Sequence, residues 1–141
     1  MLVELFALLI SYLGVFAGCA LSRVAKKEVA SGKKFLGFLQ NILFLSVLIW
    51  FFSSINISIL YRIVLAIVFV LLQIAFKNDY VVLGLVFGLQ PTFITSILIF
   101  LYGFPKGSLL YKEKLSSIVK KTLIYIVVGI IGLLLRKYLL F

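Results

Sequence analysis

The sequence predicts an all-α membrane protein, a polytopic helical bundle of about five membrane segments with the fourth broken or kinked at Pro91. Three observations carry that prediction. The chain of 141 residues is 65% hydrophobic and only 13% charged, whereas soluble domains are roughly half apolar and about a quarter charged. Its apolar residues gather in runs near the ~20 residues that a helix needs to cross a ~30 Å hydrocarbon core. Its basic residues lie almost entirely between those runs. With a mean hydropathy of +1.29, the surface left over after folding in water would be a continuous apolar patch. In lipid the same surface is solvated. Residues 1–141 therefore read as a single transmembrane domain.

The first segment covers residues 5–21 and carries no charge after Glu4. Met1-Leu2-Val3-Glu4 lacks the positive stretch that opens a secretory signal. Phe16-Ala17-Gly18-Cys19 has the form of a lipoprotein cleavage box, and it also reads as a small-residue helix face. The acid before this segment and the bases after it predict an N-terminus on the outer side. The second segment (35–52) and the third (57–76) are separated only by Ser53-Ser54-Ile55-Asn56, small polar residues suited to an interfacial turn. Arg62, one turn into the third segment, is placed to snorkel to the headgroups. Lys77-Asn78-Asp79 links to the fourth segment, 80–104, which is charge-free. Residues 108–121 have polar and apolar faces, and Ser108 is suited to cap their start, so an amphipathic interfacial helix is expected there. The fifth segment, 122–141, carries Arg136 and Lys137 near its end.

Lys and Arg in short loops favour the cytoplasmic side. If all five segments cross, eight basic residues fall on one face and six on the other, which leaves orientation undecided. If the fourth segment dips in and returns, eleven face one side against three. Proline removes a helical hydrogen bond, and the stretches on either side of Pro91 are each about half a span long. The competing expectation is an ordinary kinked helix, with copies inserted in both orientations.

The break at Pro91 is also the candidate binding site. A helix interrupted there exposes carbonyls before Pro91 and amides after it, and Gln90, Thr92, Thr95 and Ser96 supply side-chain ligands beside it. The opposing expectation is that these hydroxyls bond back to their own helix. Gln73 joins the candidate set as an amide well inside a segment, like Gln40 and Asn41, where a partner across a helix interface is needed. Gly14 with Gly18, and Gly84 with Gly88, are spaced for close helix packing. Arg23, Lys26, Lys27, Lys33, Lys34, Lys112, Lys114, Lys120 and Lys121 are expected to contact anionic headgroups.

No histidine is present, and Cys19 is the sole cysteine, which removes the usual general base and any CxxC metal or redox pair. No acid lies deep in a segment, so the carboxylate of a proton- or cation-coupled pump is not expected. An enzyme is not expected, nor any cofactor or metal. The expected partners are membrane lipids with anionic headgroups, and a second copy of the chain or another membrane protein; nucleic acid is not among them. The leading expectation is a small integral membrane transporter or channel-like protein for an ion or small solute, oligomeric, in the plasma (inner) membrane of a prokaryote. The alternative is a non-catalytic scaffold, assembly or accessory subunit of a larger membrane complex.

Overall fold

In a computed structural model describing residues 2–110 and 112–139, the described residues form helices and connecting turns, with no strand. The helices are α1 (Leu2–Val24), α2 (Lys26–Ser31), α3 (Lys33–Ser54), α4 (Ile59–Phe76), α5 (Asp79–Leu89), α6 (Phe93–Leu109) and α7 (Leu115–Leu139). Four of them, α1, α3, α4 and α7, are long and apolar enough to cross a bilayer. The chain is an integral membrane protein.

Among the described residues four helices are that long, and the stretch 80–104, expected as a fourth segment broken or kinked at Pro91, is two shorter apolar helices. Gln90 has left the helical region (φ −139°, ψ 75°), since a following proline disfavours the α conformation. Thr92, which is extended, then caps α6 by accepting from the Thr95 amide. The two helices double back. Asp79 at the start of α5 meets Tyr102 and Lys106 near the end of α6, at 2.6 and 3.3 Å. The eleven residues of α5 extend ~16 Å and the 17 of α6 ~25 Å, so α6 returns past the start of α5. The expected amphipathic helix at 108–121 does not form as a unit. Residues 108 and 109 end α6, a turn follows, and Leu115 already begins α7. Ser108 is buried and donates to the Gly18 carbonyl at 3.2 Å, so it packs α6 on α1 instead of capping a new helix.

Each arm of the doubled-back pair lies against a different long helix. Phe100 and Phe104 of α6 sit beside Gly14 and Gly18 of α1, and Gly103 and Gly107 face Gly14, Val15 and Cys19 in return. Along α5, Gly84 meets Tyr125 and Gly88 meets Gly132 of α7. Both pairs run parallel. Helices α1 and α7 run antiparallel, as the ion pair Glu4–Arg136 (3.1 Å) and the bond between Ser11 and Tyr125 (2.6 Å) show. Lipid tails are as apolar as leucine, so close van der Waals fit holds such pairs together.

Helix α3 packs on α6, with the Phe44 ring 6.0 Å from that of Tyr102. Helix α4 sits at the edge, joined to α3 through Phe51, Phe52 and Phe69, and most of its apolar surface is exposed. Arg62 turns toward the α3–α4 connection, donating to the carbonyls of Ile55 (2.9 Å) and Ile57 (3.2 Å). Its charge thus satisfies the open turn's own backbone.

The glycine contacts give a direct prediction. A methyl group on Gly88 would stand 2.6 Å from the Gly132 Cα, and one on Gly14 would collide with the Phe100 backbone. Gly14→Ala and Gly88→Ala should each destabilise by about 1–3 kcal/mol. Gly37→Ala meets nothing within 4 Å and should stabilise α3 by about 0.5–1 kcal/mol. Thermal unfolding in detergent, followed by exposure of the buried Cys19 thiol, separates the two outcomes.

Candidate functional site

Where α4 hands over to α5, Lys77 takes the left-handed conformation (φ 49°) and ends α4. Asn78 then caps α5: its side-chain oxygen accepts from the Tyr80 amide at 3.1 Å, and its amide donates to the Lys121 carbonyl at 2.8 Å. This fixes Asp79 in the first turn of α5, facing inward.

The Asp79 carboxylate receives donors from three other helices. On Oδ2 it accepts from the Tyr102 hydroxyl (2.6 Å), Lys106 Nζ (3.3 Å) and Gln40 Nε2 (3.3 Å). On Oδ1 it accepts from Gln73 Nε2 (3.1 Å). Its side chain is 19% exposed and that of Lys106 26%. Helices α3, α4, α5 and α6 are thus tied together at one level, that of Gln40 in the first half of α3. A carboxylate so enclosed needs this many donors, because an unpaired charge away from water is costly.

A second polar group lies on the other side of α5. Ser11 Oγ donates to Leu8 O, so its 2.6 Å bond to Tyr125 takes the proton from the tyrosine. Thr122 Oγ1 donates to Ile118 O and accepts from the Tyr12 hydroxyl at 2.8 Å. Tyr80 links the two groups by ring contacts with Tyr102 (5.9 Å) and Tyr125 (6.3 Å). Its own hydroxyl is buried and has no hydrogen-bond partner. Above Tyr80 a cavity of about 340 Å³, lined by Lys77, Asn78, Lys106, Lys121 and Thr122 among others, opens at the end where the basic residues collect. At its rim Lys121 reaches both Glu113 oxygens at 2.8 Å, and these bonds hold the Glu113 carboxyl below the usual carboxylate range.

The residues singled out around Pro91 fare differently. Thr92 and Thr95 hydroxyls bond to each other at 2.8 Å, and Ser96 Oγ donates to the Thr92 carbonyl at 3.0 Å. These hydroxyls repair the helix break. Gln90 Oε1 is buried without a partner, and Gln90, Pro91 and Thr92 are half-buried. The cavity beside this region, lined by Ala7, Ile10, Phe93, Ser96, Ile97 and Phe100, is apolar. Gln73 does not join them, since it sits a full arm's length away on Asp79. Asp79 stands at the start of α5 and not deep in a helix, yet the fold-back encloses its carboxylate against Gln40 and Tyr102, an arrangement that the sequence does not predict. Arg23, Lys26, Lys27, Lys33, Lys34, Lys112, Lys114, Lys120 and Lys121 are exposed at the same end as the cavity. Among the described residues no group of three or more His, Cys, Asp or Glu side chains is placed to hold a metal ion.

Asp79, Tyr102 and Lys106 were missed because each looks peripheral or aromatic in sequence. The available signal was Tyr102 and Lys106 four apart on one helix face, together with three unexplained polar residues (Gln40, Gln73 and Asp79) that each needed a partner.

Tyr102→Phe removes a short charge-assisted hydrogen bond and keeps the ring. It should lower stability by about 1.5–3 kcal/mol, whereas Tyr80→Phe, which deletes an unpartnered hydroxyl, should leave the melting temperature unchanged or raised. Equal melting temperatures for the two variants would contradict the assignment of Tyr102 to Asp79. Compared with protein-family models, with curated proteins and with solved structures, the chain matches none.

Proposed function

We propose that the protein is a small membrane transporter or channel-like protein that moves an ion or small polar solute. The observation that carries this reading is the doubled-back pair α5–α6, interrupted at Gln90–Thr92, with a polar cavity at its mouth and the Asp79 cluster at its base. Interrupted helices and charged side chains within membrane depth are costly and mark solute pathways. The polar route runs from the basic end through the cavity to Tyr80 and the hydroxyls of Tyr12, Thr122 and Tyr125.

In this reading α1, α3, α4 and α7 cross the bilayer, and the fourth segment, α5–α6, enters and returns on one side. Eleven of the 14 basic residues then share the cytoplasmic face, which fixes a single orientation and fits the plasma membrane of a prokaryote. Half-buried, non-helical backbone at Gln90–Thr92 has to be covered by protein or line a wet cavity, which supports assembly with a second copy. The other reading, a non-catalytic scaffold or accessory subunit, draws on one specific observation. The layer between Tyr80 and the break is dry, with Leu83, Val86, Phe87 and Ile99 at most 2% exposed, so the route is closed there in this state.

Orientation is tested in a Cys19→Ala background with single cysteines at Ser31, Ser116 or Ser58. An impermeant thiol reagent should label the first two from one side and the third only from the other. Opposite labelling of Ser31 and Ser116 sites rules out the fold-back in the membrane, and mixed labelling of each site means dual insertion. Transport is tested by solute-driven currents from purified protein in liposomes. Asp79→Asn should reduce them about tenfold or more, the effect of ~1.4 kcal/mol, while the protein stays monodisperse in detergent. Current from wild type indistinguishable from empty liposomes for all small ions and polar solutes favours the accessory-subunit reading.

A further inference from the structure

We infer that the cavity between the end of α4 and the start of α7 is a binding site for an oxyanion, a phosphate or carboxylate carried on a small organic body. The site goes beyond the transport reading, since a ligand can bind there whether or not it is moved.

Three features converge on it. Lys77, Lys106 and Lys121 line one cavity. Lys106 answers Asp79 and Lys121 answers Glu113, but Lys77 has no ion pair among the described residues. One positive charge is therefore left over. Lys77 also adopts a left-handed backbone conformation (φ 49°), which is uncommon outside glycine, asparagine and aspartate, and which leaves a lysine at the lip of the cavity where Asn or Gly would suit the backbone better. The second feature is Tyr80. It lines the cavity, is 3% exposed, and its hydroxyl is buried without a partner. A buried hydroxyl left unsatisfied costs about as much as a lost hydrogen bond, and an acceptor in the cavity would relieve it. The third feature is size. A volume of about 340 Å³ falls within the ~300–1,000 Å³ of pockets that hold small organic ligands and exceeds what a bare monatomic ion fills. Positive charge and a hydroxyl donor select an acceptor-rich anion.

The same chemistry arrives from two sources, a water-soluble metabolite or the phosphate of an anionic lipid at the basic face. The test is the unfolding midpoint of the full-length protein in neutral detergent, read by reaction of the Cys19 thiol with a fluorogenic maleimide. Inorganic phosphate and glycerol phosphate form the soluble arm, phosphatidylglycerol the lipid arm, and chloride at matched ionic strength the control. In wild type the midpoint should climb with the logarithm of ligand concentration above its Kd. Lys77→Asn, which suits the left-handed backbone, and Tyr80→Phe should each weaken the apparent Kd about tenfold without lowering the ligand-free midpoint. A response to the soluble ligands identifies a water-borne oxyanion, and a response to phosphatidylglycerol alone identifies a headgroup. Equal responses in wild type and both variants, a chloride response as large as that to phosphate, or no response in either arm overturns the site. None of these measurements involves flux, so a failure here is separate from a failure of transport.

Discussion

Backbone-to-backbone contact at glycine is the interaction on which the rest of this fold depends. Helices α5 and α6 have little hold on each other. Each is instead clamped along its length by a crossing helix, α6 by α1 at Gly14, Gly18, Gly103 and Gly107, and α5 by α7 at Gly84, Gly88, Gly129 and Gly132. In a medium with no hydrophobic drive for helix association, contact area gained by removing side chains is what remains. The clamps position two half-length helices that neither length nor hydropathy would hold in place.

That placement generates the polar features. Because the arms double back at the break, Asp79 and Tyr80 on one arm meet Tyr102 and Lys106 on the other. Helix α3 then supplies Gln40 and α4 supplies Gln73, completing the donors around one carboxylate. The antiparallel contact of α1 with α7 sets Ser11 and Tyr12 against Tyr125 and Thr122. Polar groups from six helices thus come to one level near the basic end, and the layer between that level and the break, with Leu83, Val86, Phe87 and Ile99, is apolar and packed. The lysines at that end serve two different roles. Most are solvated at the surface, while Lys77, Lys106 and Lys121 turn toward a shared cavity.

Much of this architecture was legible in sequence. The helical membrane class follows from hydropathy, and the turn at Ser53–Asn56, the hairpin link at Lys77–Asp79 and the interruption near Pro91 each have a local chemical cause. Both glycine pairs were visible, but not their partners, because Gly103, Gly107, Gly129 and Gly132 look unremarkable without knowing which helices meet. The amphipathic pattern at 108–121 misled. Its apolar residues serve two different helices, and periodicity cannot see the turn between them. The site was legible only in its ingredients. Hydroxyls beside a proline have a local use, in capping, and Thr92, Thr95 and Ser96 are engaged in it. Asp79 has no local use beyond its turn, so its role depends on the fold-back, a tertiary fact.

The parallel clamps carry a consequence for biogenesis. Neighbouring helices in a membrane chain usually run in opposite directions, so two parallel helices are seldom consecutive. Gly18 finds Ser108 only across 90 residues of sequence. As the chain leaves the insertion machinery, α1 has to wait in lipid with its glycine groove vacant until α6 is made, and α5 likewise waits for α7. Such late, long-range closure makes maturation slow relative to a bundle of adjacent hairpins. A nascent chain halted before α7 would carry one open groove, that of α5 at Gly84 and Gly88, a natural target for quality-control proteases or holding factors in the bilayer.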